Sequence, residues 1–344
     1  MALSKEQQKD YWRNETVAFL ALTSLSGVGY WVLHKIAESG LGFKNLLKAS
    51  NADEISKHLN VSLPDDIEWQ AYQQQLWSIG LARARSLHAD NVRLLFREQE
   101  LFPQELKKID DAPHWIFVQG PIENLHKKSV SVIGTRKPST DGVILAKTVI
   151  AALANKGLVT VSGLALGIDQ IAHTESIKYN IPTVAVLGNG IYVEFPKGSN
   201  TLKAQILNRG GTVVTEYLPE QLYSAENFVR RNRIQAALCN TLLPIEWEIK
   251  SGSAHTVAFA HKYNKKIANV FLPGTANLRP ELKFSEMERG ASAWEMPICV
   301  NGLLKYIQDD MQANGKVVQQ SLSFQDDFIS TQKVLVYKKA HHYN

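Results

Sequence analysis

Cysteine is nearly missing from this chain of 344 residues. There are two, Cys239 and Cys299, and they show no CxxC or other metal-ligand spacing. A disulfide framework and a cysteine-built metal site are therefore not expected, and a reduced, cytoplasmic setting is. Long apolar runs are absent as well. No stretch of about 18 apolar residues occurs, so no helix is expected to span a membrane. The polar opening MALSKEQQKD lacks the apolar segment of a signal peptide. Neither sign of charge dominates: 38 Lys and Arg stand against 33 Asp and Glu, a net of +5. That balance is compatible with a polyanionic partner and does not demand one. There is no GxxxxGK[ST], no HExxH and no Cys/His pair at recognisable spacing. A Walker-type ATPase is thereby disfavoured, and no catalytic residue, cofactor or metal ion is expected.

What is present is a pair of apolar runs that end in glycine turns. Ser131-Val-Ile-Gly-Thr-Arg136 is followed by Val161-Ser-Gly-Leu-Ala-Leu-Gly-Ile-Asp169. Each run reads as a buried strand entering a turn that opens a helix. In a parallel sheet both turns reach the same edge, with backbone N–H groups aimed at one crevice suited to phosphate. Arg136 adds a guanidinium that can fork onto a phosphate. The chain is expected to bind a nucleotide or a nucleic acid. The pattern from Gly134 to Lys137 is not GxGxxG, which weakens a dinucleotide dehydrogenase.

Residues 1 to about 80 read as helical, interrupted at Leu25-Ser-Gly-Val-Gly29. This turn is either an ordinary helix–helix connection or a helix-hairpin-helix turn able to hold a DNA phosphate. A helical pattern resumes from Ala82 to Gln99, and Phe102-Pro103, Asp110-Asp-Ala-Pro113 and Gly120-Pro121 then punctuate the chain. From Ser129, short apolar runs alternate with amphipathic segments as far as Gly274, the rhythm of a doubly wound α/β domain. A further strand is expected at Met296–Val300, a helix from Leu303 to Met311, and a flexible tail with a strand at Val334–Tyr337. The division expected is 1–112 helical, 113–300 Rossmann-like and 301–344 a C-terminal extension.

Candidate ligand contacts fall at four strand ends. They are Gly134, Thr135 and Arg136; Ser162, Gly163 and Gly167 with Asp169; Gly188-Asn-Gly190 with Lys197; and Asn227, Arg230, Arg231, Asn232 and Arg233 with Glu246, Lys250, Ser251, Gly252 and Ser253. Three arginines within four residues need anionic compensation. It would come from a ligand or, on a solvated helix face, from acids such as Glu226. His173, one turn after Asp169, reads more readily as a structural histidine than as a base.

These motifs closely resemble the DNA-processing protein A (Smf) family. The resemblance rests on Ser131–Arg136, Val161–Asp169 with Ala172-His173, Val184–Gly188, Glu194-Phe-Pro-Lys197 with Asn200, Thr215-Glu-Tyr217, Asn227–Ile234, Ser251-Gly-Ser253 and Pro273-Gly274. Upstream, Phe102-Pro-x-x-Leu106 and Ala112-Pro113 match too. Order and spacing agree over roughly residues 100 to 275. The resemblance implies an extended Rossmann-like core after a small helical, helix-hairpin-helix or SAM-like domain. It implies a non-enzymatic dimer that binds single-stranded DNA, protects incoming DNA in natural transformation and loads a RecA-type recombinase. By the same resemblance Arg136, Lys197 and Arg230 to Arg233 would contact phosphates, and Asn227, Ser251 and Ser253 would line the pocket. Three departures stand out. Leu166 replaces the family's basic residue, Phe228-Val229 replaces Phe-Pro, and Leu218–Tyr223 lacks the Pro-Gly-rich loop. No winged-helix domain is evident at the end of the chain. These departures leave open a sensor of a nucleotide-derived small ligand, such as one in a defence system, that uses the same pocket.

Overall fold

The protein is described by a computed structural model covering residues 4–309, apart from residues 62 and 64–67. Ser4 starts the first helix with a capping box, its hydroxyl accepting from the Gln7 N–H while the Gln7 side chain accepts from the Ser4 N–H. Helices α1 (Lys5–Leu22), α2 (Tyr30–Glu38), α3 (Phe43–Leu47), α4 (Ala52–Leu59) and α5 (Trp69–Ala89) follow one another. The chain then enters β1 (Val92–Phe96), inside a stretch that sequence periodicity assigns to helix. The strand wins because Val92, Leu94, Leu95 and Phe96 are all buried, on both faces of a ladder with β2 (Trp115–Gln119). The short helix α6 (Gln104–Lys107) lies between these two strands.

From there strands and helices alternate: β3 (Ser129–Ile133), α7 (Thr140–Ala152), β4 (Val159–Ser162), α8 (Ile168–Lys178), β5 (Thr183–Val186), α9 (Ser199–Asn208), β6 (Thr212–Thr215), α10 (Ala225–Leu238), β7 (Thr241–Pro244), α11 (Gly252–Lys262), β8 (Lys266–Phe271), α12 (Pro280–Arg289), β9 (Ser292–Glu295) and α13 (Val300–Gln308). The nine strands lie in the order β1-β2-β6-β5-β4-β3-β7-β8-β9. Pairings of β2 with β1 and β6 are antiparallel, and the rest are parallel. The doubly wound expectation therefore holds, with an antiparallel extension at one edge. Strand order reverses between β3 and β7, which opens a crevice at their carboxyl ends.

Alternation along the strands feeds cores on both faces. Val130 and Val132 pack with Val149, Ile150 and Ile168, whereas Ile133 packs with Ala236 and Val257. The amino-terminal helices share a core with the sheet edge: Phe19 meets Trp115 edge-on at 4.9 Å, and Leu33, Phe43 and Phe96 join the same cluster. Residues up to 308 accordingly form one compact unit. The segment at Met296–Val300 is a turn into α13, and the strand precedes it as β9, paired with β8. The tail strand expected at Val334–Tyr337 lies outside the described residues.

Candidate nucleic-acid interface

At the switch point, the turn after β3 is held by the chain leaving β7. The Thr135 N–H donates to the Glu246 carbonyl at 2.7 Å, and the Ser253 hydroxyl donates to the Gly134 carbonyl at 2.9 Å. The Glu246 carboxylate accepts from the Ser139 N–H at 2.9 Å, and Ser139 caps α7. The Gly134–Ser139 turn is thus clamped, and Arg136 and Lys137 stand exposed at its tip. The second turn touches the first through Gly167, whose φ of +78° favours glycine and whose Cβ would sit 2.4 Å from the Thr135 carbonyl.

The glycine at 163 has a different job from the one phosphate binding suggests. A Cβ there would lie 2.4 Å from Arg231 Nη1. Arg231 reaches in from α10, donating to the Gly163 carbonyl at 2.8 Å and to the Val186 carbonyl. The Gly163 N–H in turn donates to Asp169 at 3.2 Å. Both groups are buried, which pushes the Asp169 carboxyl up and the Arg231 guanidinium down to about 10. Ser162 is buried and donates to the Val132 carbonyl at 2.7 Å, facing away from solvent. His173 is structural, its Nδ1 2.8 Å from Thr183 Oγ1, and burial lowers it to about 3.

The basic run of α10 is the main correction to the sequence reading. Ser224 caps the helix by accepting from the Asn227 N–H at 3.0 Å, so Asn227 to Arg233 are already helical. Successive side chains therefore point about 100° apart. Arg230 stacks on Trp31 at 4.6 Å and on Tyr30 at 5.6 Å, and a quarter of its side chain stays exposed. Asn232 donates to the Gly252 carbonyl at 3.1 Å. Arg233 is buried and grips both carboxylate oxygens of Glu216, while its Nε donates to the Asp111 carbonyl at 2.9 Å. Arg231 and Arg233 thus do not present their charge to a ligand. Their compensation is internal, from Asp169 and Glu216, and both position the site from beneath.

The exposed cations of the edge are Arg136, Lys137, Lys197 and Lys250. Beside them is an aromatic group that sequence reasoning did not single out. Phe195 lies 4.1 Å from Tyr223 and 4.8 Å from Phe228, centroid to centroid, and Arg136 sits 5.7 Å from the Phe228 centroid. A Cβ on Gly188 would come within 2.4 Å of Phe228, so that glycine makes room for the ring. Tyr223 is half exposed. The available signal was the interleaving of aromatic and basic residues at Phe195-Pro-Lys197 and Phe228-Val-Arg230. Glu194 accepts from the Gly198 and Asn200 N–H groups at 3.0 and 3.2 Å, shaping the loop that carries Lys197. Asn227 is tied back to the preceding loop, donating to the Leu222 carbonyl at 3.2 Å. Ser251 donates to the Glu248 carbonyl at 2.6 Å, whereas the space around Gly252 at the start of α11 is open.

The sequence profile of the family described as DNA recombination-mediator protein A matches residues 93–293, more than half of the chain. The chain belongs to this family. Among its curated relatives, protein Smf of Escherichia coli is 34% identical over 188 residues, 55% of this chain and 50% of that protein. DNA processing protein DprA of Streptococcus pneumoniae is 38% identical over 157 residues, 46% of this chain and 55% of that one. The chain thus spans about half the length of the curated relatives it matches. Its fold is similar to the crystal structure of DprA from Streptococcus pneumoniae, with a TM-score of 0.59 and 23% identity over 91% of this chain and 100% of that one. A DprA structure from Helicobacter pylori, described by its single-stranded DNA binding mode, gives a TM-score of 0.55 at 25% identity, covering 62% of this chain and 96% of that one. The family match takes in β1, the clamped turns, the aromatic trio and α10, and it begins after α1 to α5.

Proposed function

We propose that this family member binds single-stranded DNA along the carboxyl edge of its sheet. The observation that carries the reading is the aromatic trio Phe195, Tyr223 and Phe228 set beside exposed Arg136. Aromatic rings stack on bases of any sequence, half-exposed Tyr223 being the open member of the partly buried trio, and fixed cations follow the backbone. Phosphates would meet Arg136, Lys137 and Lys197, with Lys250 and the open start of α11 extending the track. Gly134, Thr135, Ser162, Gly163 and Gly167 shape the edge, and Arg231 and Arg233 hold it rigid. The role follows the family: a non-enzymatic, cytoplasmic homodimer that protects the strand and passes it to a RecA-type recombinase during DNA uptake and recombination. The rival reading, a nucleotide-ligand sensor, needs glycine turns that admit a small ligand. Gly134, Gly163 and Gly188 instead admit Ile168, Arg231 and Phe228.

Titration by fluorescence anisotropy with single-stranded and duplex oligonucleotides tests the proposal. Single strands are expected to bind more tightly, with affinity falling steeply as salt rises. Equal affinity for both forms, or tight mononucleotide binding with little salt response, would sink it. Leu166, half exposed in the second turn, supplies a graded check. Leu166→Lys is expected to tighten single-strand binding and to steepen the log–log salt slope by about 0.7, the value for one added phosphate contact. A flat or weaker response with intact folding would favour the sensor.

A further inference from the structure

Away from the sheet edge, three donors of metal-binding type meet where α2 reaches the sheet. His34 and Glu38 stand one turn apart on α2, and His114 directly precedes β2. His34 Nδ1 lies 3.5 Å from Glu38 Oε1, and the two imidazole rings meet edge-on with centroids 4.7 Å apart. One ligand atom from each of the three residues lies within 4.8 Å of the other two. Ligands at about 2.0–2.2 Å from a tetrahedral ion stand about 3.4 Å apart, so small side-chain rotations close the three on a single ion.

We propose that His34, Glu38 and His114 form a binding site for a divalent transition ion of the zinc class, which fastens α2 to the sheet. Two imidazoles and one carboxylate are the donor set such ions take, with a fourth position left for water. Calcium and magnesium, which prefer oxygen ligands throughout, are a poor match. The charges facing the histidines are Glu38 and Glu216 on one side of the balance and Arg97, Arg230 and Arg233 on the other. Glu216 is already paired with Arg233. Affinity therefore rests on coordinate bonds and on Glu38, not on a surplus of negative charge.

Occupancy has a consequence for α10. His34 Nε2 lies 3.4 Å from Arg230 Nη2, a contact in which only the ring nitrogen can accept. An ion on Nε2 takes that lone pair. An ion on Nδ1 moves the ring proton to Nε2, where it opposes the guanidinium. Either way the ion and the Arg230–His34 hydrogen bond exclude one another.

The test uses the full chain with Co2+ as a spectroscopic probe, followed by displacement with Zn2+. One equivalent of Co2+ is expected to bind with the visible absorption of a low-coordinate nitrogen–oxygen site. His114→Gln and Glu38→Gln should each weaken it by at least about tenfold, since even outer-shell partners are worth 10–100-fold. Glu38 is more than half exposed, so its replacement tests the site without disturbing the core. Zn2+ should raise the melting temperature of the parent chain and leave that of both variants unchanged. Arg230→Gln should tighten Co2+ binding by relieving the competition for His34, and an unchanged or weaker affinity there would overturn the exclusion between ion and Arg230. Absence of the Co2+ spectrum, or a spectrum that persists unaltered in both His114→Gln and Glu38→Gln, overturns the site. The second result would assign the ion to other histidines of the chain.

Discussion

Replacing Glu216 with alanine is expected to lower the unfolding free energy by about 3–5 kcal/mol, the scale for stripping one partner from a buried ion pair. Both groups are buried, with side-chain exposures of 1% for Glu216 and 2% for Arg233. Glu216 also accepts from the Tyr30 hydroxyl at 2.6 Å, and Arg230 Nε stands 3.8 Å away. Its loss leaves the Arg233 Nη groups and a buried phenol without their carboxylate acceptor and removes the negative charge beside Arg230. Urea denaturation followed by circular dichroism reads the effect, and a loss below about 1 kcal/mol would show that the pair contributes no more than a surface bridge. The same group sets an acid dependence. Burial alone would raise the Glu216 carboxyl, but Arg233, Tyr30 and Arg230 outweigh it and hold it below the ordinary value of 4.5. A depressed folded pKa adds stability that is complete above the unfolded value and is lost as pH falls through the folded one. The Glu216 contribution should therefore fade from about pH 4.5 downward. Asp169 carries the opposite sign, because its raised folded value favours the folded state as it protonates. The difference between the parent chain and the Glu216→Ala variant isolates the first effect.

Arg136→Ala is expected to weaken single-stranded DNA by about 1.5–3 kcal/mol, roughly tenfold to 100-fold in affinity, as a charge-assisted phosphate contact is lost. Stability should move by no more than about 1 kcal/mol, since the residue is exposed and its guanidinium rests on the face of Phe228. Arg136→Lys should recover part of the affinity, with its point charge but without the fork. Anisotropy titration beside a thermal melt separates the outcomes. A lowered melting temperature with unchanged affinity would make Arg136 a structural residue.

The turns of this interface were legible because their causes are local. A strand of buried Val and Ile that ends in glycine places its turn at a sheet edge, and both turns announce themselves this way. Arg136 is exposed because it sits at the tip of such a turn. The aromatic trio was not legible, since Phe195, Tyr223 and Phe228 come from a loop, a helix approach and a helix that only the β5–β6–α10 packing brings together. Strand β1 was missed for a related reason. Val-Arg-Leu-Leu-Phe fits helical and extended spacing equally over five residues, and its ladder partner lies beyond α6.

The sequence by itself determined the doubly wound sheet, the position of the two glycine turns and the family to which they belong, because short-range hydrophobic periodicity and turn chemistry dictate all three. Only the tertiary structure decided what each arginine of α10 does. A guanidinium enters the interior where a carboxylate or backbone carbonyls await it, and here those partners are Glu216 for Arg233 and the Gly163 and Val186 carbonyls beside Asp169 for Arg231. Arg230 stays partly exposed because the helix turns it toward Trp31 and His34, the latter 196 residues upstream. Burial of charge depends on groups remote in sequence, and no local pattern reports them.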